Sequence, residues 1–130
     1  MTIELGATTT YQNVAAVAFD LSSTLLPVNI ISFVAHRKKD FEVSLEWSTA
    51  QEKDNSHFVI ERSYDGITFD NIGVVNGHGN SQQIINYTFL DNLNTLNKAF
   101  YRLHQFDFNG ASEYSKTVSI FSYSLNNMVK

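Results

Sequence analysis

The sequence predicts an all-β fold, an antiparallel sandwich of about seven strands, on three observations. Apolar and polar residues alternate with a period of two: Phe41, Val43, Leu45 and Trp47 are separated by Glu42, Ser44, Glu46 and Ser48, as in a strand with one buried face. Ten Phe, six Tyr and an aromatic share of 13% favour sheet, and no window holds apolar residues at helical spacing. Polar turn segments recur at intervals of roughly 10–15 residues, as successive strands of a sandwich require.

The elements follow in order. Pro27 stands at the entry to a first strand, 28–36, where no ladder donor is needed, and the broken alternation at Ile30-Ile31 reads as a bulge. The second strand is 41–49. The third, 57–63, places Phe58 and Ile60 on one face and ends in the turn Tyr64-Asp65-Gly66. An apolar strand over 69–75 leads into Asn76-Gly77-His78-Gly79-Asn80-Ser81, whose small and polar residues mark a loop. In the fifth strand, 85–90, Ile85, Tyr87 and Phe89 alternate with Asn86 and Thr88. Residues 92–98 are short and Asn-rich, and read as a connection crossing between two sheets. The last two strands, 99–107 and 113–122, flank Phe108-Asn109-Gly110, a hairpin signal.

A chain of 130 residues has the size of one domain and needs no staple to fold. The sandwich is expected over 26–123, with 124–130 as a tail. Residues 1–25 read as the last strand of a preceding domain, or as an extra edge strand with a linker; the first is favoured. No apolar run approaches the ~20 residues of a membrane span, so no membrane insertion is expected. Met1-Thr2-Ile3-Glu4 has no positive n-region, and the apolar stretch 14–19 is too short and too late for a signal peptide; an export signal, if used, is expected upstream.

Charge and composition exclude several classes of function. The net charge is -4, and the one basic run, Arg37-Lys38-Lys39, meets Asp40 at a turn, so there is no basic stripe for nucleic acid. With no cysteine there is no disulfide scaffold, thiolate metal site or Cys nucleophile. Glu42, Glu46, Glu61 and Glu113 fall on the expected solvent faces of strands, not in a cleft as paired carboxylates must. His36, His57, His78 and His104 occur singly in four segments, without metal-site spacing. Gly73, Gly77 and Gly79 precede no helix and read as loop geometry. Asp65 with Asp70, or Asp91 with Asp107, could gather Ca²⁺, but neither lies in an ordered loop of oxygen ligands. No cofactor, no metal and no catalytic residue are expected, and the chain reads as a non-enzyme.

The same alternation selects structural residues. Trp47 shares its face with Leu45, and Tyr101 with Leu103; with Phe58 and Ile60 they form the expected core, in which the indole N–H of Trp47 should find a partner. On the opposite face of the 99–107 strand lie Phe100, Phe106 and Phe108, interrupted by Arg102 and His104. An apolar outer face marks a docking surface or a neighbouring domain, or is partly covered by adjacent strands and the N-terminal segment. Tyr64 and Tyr114 join Phe100, Phe106 and Phe108 as the candidate interaction surface.

Tyr101-Arg102-Leu103-His104-Gln105-Phe106-Asp107-Phe108-Asn109-Gly110 resembles the F strand and following turn of a fibronectin type III domain. Leu45-Glu46-Trp47 resembles its B strand, and Phe58-Val59-Ile60-Glu61-Arg62-Ser63 with Asp65-Gly66 its C strand and turn. With Leu26-Pro27-Val28 and Trp47-Ser48-Thr49-Ala50-Gln51-Glu52, the set is similar to the fibronectin type III-like modules of secreted Bacteroidetes proteins, over residues 26–122. The resemblance implies an immunoglobulin-like sandwich in an extracellular or cell-surface setting, next to a sorting tail read by type IX secretion. Residues 124–130 lack the Tyr-Pro-Asn-Pro type of opening of that tail. The resemblance also implies a tyrosine corner, with the Tyr101 hydroxyl on backbone near 93–96. The function expected is a structural spacer or adhesion module, its partners being neighbouring domains of the parent chain, a cell-surface protein or a polysaccharide. The alternative is a carbohydrate-binding module beside a polysaccharide-degrading enzyme.

Overall fold

Thr49-Ala50-Gln51-Glu52-Lys53-Asp54-Asn55-Ser56 is polar and turn-prone, yet the chain stays extended through it. The computed structural model describes residues 28–121, which form seven antiparallel strands and no helix. These are β1 (Val28–Lys39), β2 (Glu42–Ser63), β3 (Asp70–Ser81), β4 (Ile85–Asn92), β5 (Ala99–Asp107), β6 (Ser112–Tyr114) and β7 (Val118–Ile120). The strand expected within residues 1–25 and the tail 124–130 lie outside the described residues.

Three boundaries differ from the sequence reading. The strands expected at 41–49 and 57–63 are one strand, β2, of 22 residues. Ladder partners continue through the polar stretch, Val28 and Ser81 both pairing with Glu52, so its backbone groups are not stranded. The loop expected at 76–81 belongs to β3, with Asn76 opposite His57 and Gly79 opposite Asn55. The last strand, expected over 113–122, is divided into β6 and β7. Between them Leu103 N–H donates to Ser115 Oγ at 2.8 Å and Ser115 N–H to Leu103 O at 2.8 Å, and this side-chain bond interrupts the ladder. The irregularity expected at Ile30-Ile31 is present, as register shifts between Asn29 and Ser32.

The strands form one hydrogen-bonded sheet, because β2 serves both halves of it. Its first half, up to Glu52, pairs with β1 and β4; its second half pairs with β3 and β5, and β5 carries β6 and β7. The halves curl around a single core. Trp47 from the first half meets Phe58 from the second edge-on, with ring centroids 5.5 Å apart, and stacks on Tyr87 of β4 at 5.4 Å. Phe33 of β1 closes the cluster at 6.4 Å from Trp47. Trp47, Leu45, Phe58, Ile60, Tyr101 and Leu103 are each no more than 1% exposed, whereas Phe41, on the same alternation, is at the turn and largely in water. At that end Arg37 donates to the carbonyls of Asp40 (2.5 Å), Asn97 (3.1 Å) and Phe121 (3.1 Å), tying three segments together.

Candidate functional site

In β5 the odd-numbered residues from Ala99 to Gln105 are buried and their even-numbered neighbours are half-buried. Arg102, His104 and Phe106 therefore share the outer face. The register sets Glu61 opposite Arg102, Tyr114 opposite His104 and His57 opposite Phe106, and directly opposed side chains on one face meet. The result is a ladder of planar groups across three strands. His57 stacks on Phe106 with centroids 5.0 Å apart, Phe106 lies 4.3 Å from His104, and His104 stacks on Tyr114 at 3.9 Å. The Arg102 guanidinium lies 4.2 Å from the Tyr114 centroid and 4.0 Å from that of Phe69.

Of the five residues expected to form one surface, only Phe106 and Tyr114 come together. Phe100 is at the other end of β5, 5.6 Å from the Lys98 ammonium and packed beside Gly66. Tyr64 lies under the Arg62 guanidinium at 5.1 Å and donates to Asn94 at 3.4 Å. Phe108 protrudes, 69% exposed, at the turn after β5. The sequence places residues on a face but does not supply the register that separates them.

Glu61, expected in solvent, is 6% exposed. It accepts from Arg102 Nε at 2.7 Å, and His104 Nδ1 is 3.6 Å from its other oxygen. A carboxylate at this depth is held by its cationic neighbour. His57 and His104, far apart in the chain, flank the same phenyl ring; nothing in the spacing of single histidines announces that.

Two further carboxylates are buried in the core. Asp91 binds Arg62 through both oxygens, at 2.7 and 2.9 Å, and accepts from the Tyr101 hydroxyl at 2.7 Å. The phenol of Tyr101 thus reaches a side chain, not the backbone near 93–96 that a tyrosine corner uses. Burial, then the bond to Asp91, pushes that phenol well above its ordinary range. Glu52 accepts from Tyr87 Oη, Thr49 Oγ1 (2.8 Å), Asn55 Nδ2 (2.8 Å) and the His78 N–H (2.9 Å). Burial opposes its charge, but these donors outweigh it, Tyr87 foremost, and the carboxyl titrates below its ordinary value. On the surface, Asp65 accepts from the N–H groups of Thr68 and Ile67 and from Ser63 Oγ, which lowers its pKa to about 2. Trp47 Nε1, expected to be partnered, has no acceptor among the described residues.

Each of these acids is tied into the fold. Among the described residues no group of three or more His, Asp or Glu is placed to hold a metal ion. Among the openings of the described residues is a groove of about 420 Å³ lined by residues 28–33 of β1, Gln105, and residues 113–116.

No family model and no curated protein matches the sequence. Among solved structures the chain is similar to the β-1,2-glucanase from Parabacteroides distasonis, with 22% identity and a TM-score of 0.51, over 77% of this chain and 14% of that one. It is also similar to the pectate lyase Pel3 from Pectobacterium carotovorum, with 22% identity and a TM-score of 0.49, over 68% of this chain and 26% of that one. The likeness is one of fold. In both cases the chain spans a small part of a longer protein.

Proposed function

We propose that this chain is a non-catalytic β-sandwich module of the fibronectin type III kind, acting as a spacer or docking module within a longer secreted or surface protein. The ladders fit such a sandwich: β1, the first half of β2 and β4 on one side, and β3, the second half of β2, β5 and β6–β7 on the other. The observation that carries the spacer reading is the separation of the two ends of the described residues. Val28 pairs with Glu52 at the start of β1, while Phe121, just after β7, accepts from Arg37 through its carbonyl. Along β1, Val28 and Arg37 are about 30 Å apart at the strand rise. The internal pairing of Glu52, Glu61 and Asp91 supports the absence of catalysis, since a working acid or base must be able to reach a substrate.

The second reading is a carbohydrate-binding module. The half-exposed Tyr114 and the protruding Phe108 favour it, as does the glucan named as the substrate of the similar Parabacteroides enzyme. The stacking ladder weighs against it: Phe106 and His104 each have ring neighbours on two sides, and a sugar needs a bare ring face. Titration of the purified chain against soluble glucans and pectins on affinity gels separates the two. The spacer reading expects no retardation; saturable retardation that is lost in Tyr114→Ala or Phe108→Ala overturns it.

A further inference from the structure

On the outer face His104 of β5 stands between two diagonal neighbours. Glu61 of β2 is opposite Arg102, and Ser112 of β6 is opposite Phe106. Each is thus offset by two residues from His104, within reach of a long side chain. The imidazole bridges them: its Nε2 is 2.9 Å from Ser112 Oγ and its Nδ1 is 3.6 Å from a Glu61 oxygen. Phe106 on one side and Tyr114 on the other hold the ring, at 4.3 and 3.9 Å between centroids, so both nitrogens keep fixed directions.

The groups around the ring decide where its proton sits. The Glu61 carboxylate is buried, and Arg102 engages only its other oxygen. A carboxylate facing Nδ1 favours an N–H there over a lone pair. Neutral His104 then carries its lone pair on Nε2, and the Ser112 hydroxyl donates to it. Ser112 is exposed, so its oxygen is open to a reagent while its hydrogen is held by a base. The neighbouring serines lack this arrangement. Ser115 Oγ accepts from the Leu103 N–H and donates to the Lys116 carbonyl at 2.7 Å. Ser119 is exposed but has no bond to an imidazole among the described residues.

We propose that Ser112 is an activated nucleophile, a covalent acceptor for an acyl group from an activated ester or thioester. His104 is its base, and Glu61 positions the base. In that step Ser112 Oγ forms a bond to the acyl carbonyl carbon and the hydroxyl proton passes to His104 Nε2. The bond to the leaving alcohol or thiol breaks, and the leaving group takes the proton from His104. Glu61 needs no contact with the reagent, because it acts through His104. The proposal goes beyond the spacer reading and does not depend on it: one acyl group is transferred to the chain, without turnover.

The test treats the full chain with a fluorophosphonate, whose phosphorus traps an activated serine with loss of fluoride, and maps the product by peptide mass. One phosphonyl group on Ser112 is expected, and none on Ser115 or Ser119. p-Nitrophenyl acetate should likewise leave an acetyl ester on Ser112. His104→Gln should slow labelling at least about a hundredfold, and Ser112→Ala should abolish it. Nitrogen NMR of the neutral His104 ring should find its proton on Nδ1. Glu61→Gln should move that proton toward Nε2, which loss of packing alone does not do. The proposal is overturned by the absence of either label from Ser112, by equal labelling of Ser119, or by labelling that persists in His104→Gln. An unchanged tautomer in Glu61→Gln overturns it too. So does a wild-type ring protonated on Nε2, a result that requires no variant to fold.

Discussion

Trp47 packs against Phe33, Phe58 and Tyr87 while its indole N–H goes unanswered. The residue is therefore held by its rings alone. Trp47→Ala should cost about 3–5 kcal/mol through the cavity it leaves. Trp47→Phe removes an unsatisfied donor worth about 1–3 kcal/mol along with its smaller loss of volume, and should cost less than half as much in urea denaturation. The opposite asymmetry holds at Asp91. Tyr101→Phe removes one of three bonds to the carboxylate and should cost about 1.5–3 kcal/mol. Arg62→Met leaves a carboxylate 6% exposed without its cation, and should cost about 3–5 kcal/mol. Equal losses at the two positions would show that the ion pair contributes little. Alternation in the sequence is enough to put Trp47 and Tyr101 on inward faces. It is silent on partners: the family resemblance put the hydroxyl of Tyr101 on backbone, and the general need of a buried indole for an acceptor put a bond on Trp47, and neither is present among the described residues.

At the scale of the element, β2 is the member that the sequence hides. Asp54 adopts a φ of +53°, and the run from Glu52 to Ser56 has the composition of a turn. What keeps it extended is Glu52, which gathers donors from β2 itself, from β3 and from β4. All four partners donate, so Glu52→Gln would turn an amide NH₂ toward at least one of them. The loss should reach about 3 kcal/mol or more, with amide exchange rising first near 52–56 and 78–81. Close packing makes the same point at Gly77. A Cβ there would stand 2.8 Å from the Asn55 carbonyl oxygen and collide with its side-chain amide, and Asn55 is fully buried between Glu52 and Gln105. Gly77→Ala should therefore destabilise the domain by about 1–3 kcal/mol, and wild-type stability in that variant would show that the two strands can slide apart. The outer ladder was legible only in part. Phe106 and Tyr114 stand out in the sequence as aromatic, but their meeting through His104 depends on the β5–β6 register, which is set by the hairpin turn.

Over the whole molecule, the two most deeply bonded phenols link strands of the curled sheet: Tyr87 of β4 reaches Glu52 of β2, and Tyr101 of β5 reaches Asp91 of β4. Burial first, and then the neighbouring carboxylate, raises both above the ordinary value of 10.0. A phenol whose native pKa is raised holds its proton when the unfolded chain has lost it, so its contribution is complete below about pH 10 and declines as pH rises beyond. Stability measured by urea denaturation should therefore fall between about pH 10 and 11.5, each phenol adding at most about 1.4 kcal/mol per pH unit. Tyr87→Phe and Tyr101→Phe lower stability at neutral pH, yet each should flatten the alkaline slope, and the double variant should flatten it most. Lysine deprotonation acts in the same range but is common to all four proteins and cancels in the comparison. If the slope is the same with and without the two hydroxyls, these phenols do not bridge to buried carboxylates, and the strand pairs that they join are held by packing alone.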